Sequence, residues 1–175
     1  MNLSYRRWKK LFLFCLGLSA GTDFCMKWME TDLWVNGGKF TIMGLELFYT
    51  KEKVMTVLAG LYGHVRTILN YHLHFDFVFM AGIYPGITAL CMMAGEKMKL
   101  SALKKVLYVL AAIQLLAWAA DISENLYLLK WVKQPVIGNE FGRYHFIVAA
   151  KWIIALTGAL VSVPILLSRL KIKMK

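Results

Sequence analysis

A chain of 175 residues is one domain's worth of protein, yet 59% of it is hydrophobic and only 18% is charged. Soluble domains are about 45–50% apolar and about 25% charged, so this composition excludes a disordered chain and argues strongly against an ordinary water-soluble enzyme. It makes a bilayer the natural solvent, and the net charge of +11 then has to be explained inside a membrane protein.

In chain order, Arg6, Arg7, Lys9 and Lys10 precede an apolar run from about Leu11 to Met29 that carries Trp28 at its far end. A run of about 19 residues can cross a bilayer, and a tryptophan suits its interface. Basic residues, an apolar stretch and the small residues Ser19-Ala20-Gly21 would also suit a cleaved secretory signal. The run continues beyond those small residues, so an uncleaved first span is expected.

The stretch from about Glu30 to Asn70 is expected to form an outward loop. Within it, the piece from Gly37 to Phe48 has a glycine turn and alternating character, as in a small hairpin or a loop covering a mouth. Thr50 is a suitable N-cap and Glu52 sits in the first turn after it. Val54, Val57, Leu58 and Leu61 then share one helical face, and Gly63 is a plausible stop. This predicts a short amphipathic helix over about 51–62, on the outer surface or capping the rest. Three further apolar stretches follow, at about Tyr71–Ala94, Val106–Leu129 and Tyr144–Leu167. Pro85 and Pro164 lie inside two of them, where neighbouring helices can re-satisfy freed carbonyls. The fold class expected is all-α, a transmembrane four-helix bundle forming a single integral membrane domain.

The basic residues fit that topology. Twelve of the 21 fall before the first span, in the short loop with Lys97, Lys99, Lys104 and Lys105, and in the tail with Arg169, Lys171, Lys173 and Lys175. With four spans these segments share one side, so the positive-inside rule makes both termini cytoplasmic and the cell (inner) membrane the expected location. Nucleic acid is not an expected partner, because the basic residues border spans and build no binding module. Cys15, Cys25 and Cys91 are odd in number and show no C-x-x-C, which favours buried, inert thiols over a disulfide framework or zinc ribbon. No phosphate loop, nucleophile elbow or dinucleotide fingerprint is present.

Ionisable residues within spans are costly and usually face an interior or water. Here Asp23 and Lys27 come late in span one, and His72, His74 and Asp76 come early in span two. Asp121, Glu124 and Asn125 come late in span three, and His145 and Lys151 come early in span four. Four segments of alternating direction thus place their charges in one layer of the outer half of the bilayer, above inner halves that are nearly all apolar. An outward-facing polar pocket is the expectation, with Arg66, His72, Asp76, Asp121, Glu124, Asn125 and Lys151 as candidate ligand-binding residues. On a helix His72 and His74 are about 160° apart, so His-x-His-x-Asp cannot present both rings to one ion. The mixed donors His72, Asp76, Asp121, Glu124 and His145 could suit zinc, manganese or iron, but Lys151 in the same layer competes for the carboxylates. The plainest reading is a structural network, with Lys151 paired to Asp121 or Glu124 and Lys27 to Asp23. No cofactor is assigned, since haem would have only His72 and His145 to rest on.

The segment Tyr62-Gly63-His64-Val65-Arg66, followed by Tyr71, Asp76, Pro85, then Asp121-Ile122-Ser123-Glu124-Asn125 and Lys151, resembles small four-span bacterial membrane proteins. The resemblance implies four spans and a shared polar layer, and it transfers no catalytic role. The ending Lys171-Ile172-Lys173-Met174-Lys175 also resembles a dilysine retrieval tail, a pattern that basic cytoplasmic tails produce easily. The function expected is binding of a lipid head group or small ligand in the polar pocket, or docking of a partner subunit. Membrane lipids, a partner membrane subunit or a second copy of the chain are therefore the expected partners. One alternative is an enzyme acting on lipid at the outer leaflet, with His72, Asp76 and Glu124 as candidate catalytic residues. Another is a component of an ion or proton transporter.

Overall fold

The computed structural model describes residues 3–168, so the basic tail from Arg169 onward and the retrieval-like ending lie outside the described residues. The chain is helical almost throughout. Helix α1 covers Leu3–Met29 and a 3-10 turn, Glu30–Asp32, follows it. A two-stranded hairpin comes next, β1 at Trp34–Val35 and β2 at Gly38–Lys39, then a π-helical turn at Gly44–Phe48. The remaining helices are α2 at Lys51–Ala59, α3 at Gly63–Lys97, α4 at Ser101–Lys133 and α5 at Glu140–Leu167. Four of these elements (α1 with its 3-10 turn, α3, α4 and α5) are long and apolar enough to cross a membrane. The protein is thus a multi-pass helical membrane protein in architecture.

The long helices outrun the apolar stretches that announced them. Helix α3 has 35 residues, about 52 Å at ~1.5 Å per residue, against a hydrocarbon core of ~30 Å. The helix therefore extends beyond any apolar slab at one end or both. Consecutive long helices run antiparallel: Ser19 faces Gly82 while the earlier Cys15 faces the later Gly86, Leu73 meets Asn125 while the later Thr88 meets the earlier Ala111, and Asp121 meets Lys151 while the earlier Gln114 meets the later Ile154. Helix α1 packs chiefly along α3, while α3, α4 and α5 pack on one another.

Small residues make the closest seams. The buried face of α1 is Cys15, Ser19, Thr22 and Met26, spaced by three or four residues as one helical stripe requires. Ser19 and Thr22 donate to the carbonyls of Cys15 (2.9 Å) and Leu18 (2.8 Å), so their hydroxyls are satisfied within the helix. Opposite them stand Gly82 and Gly86, four apart. A Cβ on Gly82 would come within 2.5 Å of Ser19 Oγ and 3.1 Å of the Cys15 carbonyl. This is the small-residue mode of helix association found in lipid. Deeper in, Ser162 meets Cys91 Sγ at 3.2 Å, and Gln114 Nε2 donates to the Ile154 carbonyl at 3.2 Å. Cys15 and Cys91 are buried as expected, whereas Cys25 is exposed, because it lies off the stripe that faces α3.

The loop after α1 folds into a cap over the protruding ends of α3, α4 and α5. Its Leu33, Phe40, Leu45, Val54 and Leu58 join Leu69, Leu128, Trp131 and Tyr144 in one buried cluster. The hairpin turns at Asn36 (φ 51°) and Gly37 (φ 75°), an Asn-Gly pair suited to a tight turn with both central residues left-handed. It is tighter and earlier than the glycine-rich stretch 37–48 implied. The rest of that stretch becomes the π-helical turn, closed by the Tyr49 N–H donating to the Gly44 carbonyl at 2.8 Å. Thr50 caps α2 by accepting from the Lys53 N–H at 3.3 Å. Helix α2 stops earlier than the spacing predicts, and Gly63 opens α3 instead of ending α2. Gly60 is the C-cap of α2, and the hairpin packs so close that a Cβ there would come within 2.6 Å of Val35 Cγ1.

Candidate functional site

The central side chain is Lys151 of α5, only 5% exposed. Its ammonium lies 2.5 Å from Asp121 Oδ1, 2.6 Å from Glu124 Oε2 and 3.6 Å from Glu46 Oε2. Asp121 and Glu124 can flank one cation because a three-residue step on a helix keeps side chains on one face. Tyr84 of α3 donates its hydroxyl to Asp121 Oδ2 at 2.8 Å. Asn125 donates through Nδ2 to Asp76 Oδ2 at 2.8 Å and to the Leu73 carbonyl at 3.2 Å. One ammonium thus serves a group of four carboxyl side chains, which makes the cluster rich in acceptors.

Glu46 reaches this cluster from the π-helical turn. It stands amid the apolar run Met43 to Phe48, and burial turns it inward to 9% exposure. Burial pushes its carboxyl above the ordinary value of 4.5, while Lys151 pulls it down. Sequence reasoning did not select Glu46, Tyr84 or Glu30. The one signal available for Glu46 was a lone acid between apolar residues in a segment expected to cover a mouth.

A second polar group sits between α1 and α3. Glu30 accepts from Lys27 Nζ at 3.0 Å and lies 3.5 Å from His72 Nε2. The expected partner of Lys27 was Asp23. The 3-10 turn instead brings Glu30 back over the helix end, and the pair forms there. His72 is 1% exposed, and neither of its ring nitrogens has a hydrogen-bond partner among the described residues. His74 is exposed, on the other side of the helix as its two-residue offset requires.

Both polar groups open onto one cleft of about 480 Å³ between α1, α3 and α5. Its polar end is lined by Asp23, Glu30, His72, Asp76, Asp121 and Lys151, with Glu46 contributed from the cap. Its far end is apolar, lined by Phe12, Leu16, Leu90, Leu156 and Ala159. A volume within the ~300–1,000 Å³ of small-molecule sites, with few polar groups at one end, is the usual form of a ligand cavity.

The structure sorts the sequence-predicted residues by position. His72, Asp76, Asp121 and Lys151 line the cleft, while Glu124 and Asn125 are buried without lining it and orient Lys151 and Asp76. Arg66 lies apart, donating to the Leu61 carbonyl at 3.1 Å beyond the end of α2. His145 also lies apart, its ring edge-on to Phe141 at 4.7 Å between centroids. Among the described residues no three histidine, cysteine or acidic side chains converge as a metal site would require. Comparison with family models, with curated proteins and with solved structures found no match to this chain, so geometry alone carries the functional argument.

Proposed function

We propose that this chain is a four-helix bundle of the cell (inner) membrane, with both termini cytoplasmic, whose outward-facing cleft binds an amphiphile. The polar head would sit among His72, Asp76, Asp121 and Lys151, with Glu124 and Asn125 as positioning residues behind them. The tail would lie along the apolar shaft beside Phe12, Leu90 and Ala159. One observation carries this reading: a single cleft joins a carboxylate-rich end to an apolar end. A pocket for a small polar solute has no need of the shaft, and a structural ion-pair network has no need of the cleft. The clustering of basic residues at one set of helix ends supports the orientation.

The same cleft is where a partner helix or second copy would insert, and binding of membrane lipid is the simpler occupancy. The enzymatic alternative has less support, because Glu124 does not line the cleft and is engaged by Lys151, so it does not converge with His72 and Asp76 on a common point. Transport would require a polar path, and the far end of the cleft is apolar.

Native mass spectrometry of the protein purified in a mild detergent tests the proposal. Retained amphiphile is expected in the wild type and should be lost in Ala159→Phe, which fills the shaft away from every charged group. Equal retention in both proteins, or none in either, refutes it.

A further inference from the structure

We propose that the head group this cleft recognises is an amine, bound as its ammonium. The inference rests on the amphiphile reading above and narrows it to one chemical class. Two independent features of the cleft point the same way.

The first is the sign of the unanswered charge. Lys27 is engaged by Glu30, and Lys151 by Asp121 and Glu124. Asp76 is left with only the neutral amide of Asn125, and Glu46 stands 3.6 Å from an ammonium already held more closely by two other carboxylates. Both line the cleft, and they come from different elements, α3 and the π-helical turn. A phosphate or sulfate head would add charge of the same sign beside them. An ammonium offers only donors and a positive charge.

The second feature is His72. Its ring is buried, lines the same cleft and keeps both nitrogens without a hydrogen-bond partner, the Glu30 carboxylate standing 3.5 Å from Nε2. A neutral imidazole carries one acceptor nitrogen. Asp76, Glu46 and one nitrogen of a neutral His72 thus supply acceptors to the cleft, beside a buried donor without a partner, Trp152 Nε1. Trp152 also lines the cleft, with the Lys151 ammonium already 5.7 Å from its ring centroid.

The test titrates the full chain, in a neutral maltoside detergent, with dodecylammonium, dodecyl phosphate, dodecanol and butylammonium. Tryptophan fluorescence and the thermal unfolding midpoint report binding. Dodecylammonium is expected to bind at least tenfold more tightly than each of the other three. Asp76→Asn and Glu46→Gln should each weaken dodecylammonium about tenfold, the loss expected for one charge-assisted hydrogen bond. Both variants should still bind dodecanol, which shows that their clefts are intact. If the three dodecyl compounds bind alike, or the phosphate binds best, the amine assignment is overturned and the amphiphile cleft stands. If butylammonium binds as tightly as dodecylammonium, the shaft plays no part and the site is one for free amines, which overturns both. If nothing binds, both are overturned.

Discussion

Lys151→Met is the most informative single substitution. Methionine keeps much of the length and apolar body of lysine but removes the charge. What remains is Asp121, Glu124 and Glu46, all no more than 9% exposed, facing one another without a cation. At separations of 2.5 and 2.6 Å, each close pair has a gross attraction of about 6 kcal/mol at an effective dielectric of ~20. The desolvation of both ions offsets much of this. Removing one partner from a buried pair therefore costs about 3–5 kcal/mol, mainly through the charge left behind. For a chain of this size that is a fall of roughly 6–20 °C in the unfolding midpoint. The assay is thermal unfolding in detergent or nanodiscs, with circular dichroism as readout. A triple variant, Lys151→Met with Asp121→Asn and Glu124→Gln, should recover most of the loss because no orphaned charge remains. If Lys151→Met unfolds within about 1 kcal/mol of wild type, or the triple variant is no better than the single one, the cluster does not work as described.

Two further perturbations follow from other parts of the structure. Gly82→Ala should destabilise the α1–α3 seam by about 1–3 kcal/mol, since its Cβ would meet Ser19 Oγ at 2.5 Å, and Gly86→Ala should cost less because its nearest neighbour is Cys15 Cβ at 3.3 Å; equal unfolding midpoints would contradict this packing. Because burial raises the Glu46 carboxyl above its ordinary 4.5, the folded state holds that proton more tightly than the unfolded state, so the Glu46 contribution to stability falls as pH rises from about 4.5 toward the raised value. Glu46→Gln should flatten the pH dependence of unfolding across that window, and identical slopes in variant and wild type would refute it.

How much could be read before folding differs by element. The long helices were legible because about 20 apolar residues in a row have few other uses, but their full helical extents were not, because polar turns beyond an apolar stretch carry no hydropathy signal. The cap helix was legible from Thr50 and the spacing of Val54, Val57 and Leu58, but neither its end nor the close approach of Val35 to Gly60 was, since that contact joins residues far apart in sequence. The shared layer of Asp76, Asp121 and Lys151 followed from helix direction alone. The partners within that layer did not follow: Lys27 pairs with Glu30 rather than Asp23, and Arg66 turns to a backbone carbonyl. Periodicity determines which face of a helix a side chain occupies, but not which way that face is turned.

Why so hydrophobic a chain should be so basic is a question of position. Sequence alone answers that, through composition and position: apolar runs define candidate spans, and lysines and arginines gather at one set of their ends. Sequence also leads to the expectation that the ionisable residues within the spans share one layer. Only the tertiary structure brings Glu46 out of a loop and onto Lys151, stands Tyr84 behind Asp121, and leaves a cleft between α1 and α5 that joins charged and apolar walls. These are relations between residues distant in the chain. They depend on how closely small side chains let helices approach and on which groups burial forces into company, and no local pattern encodes either.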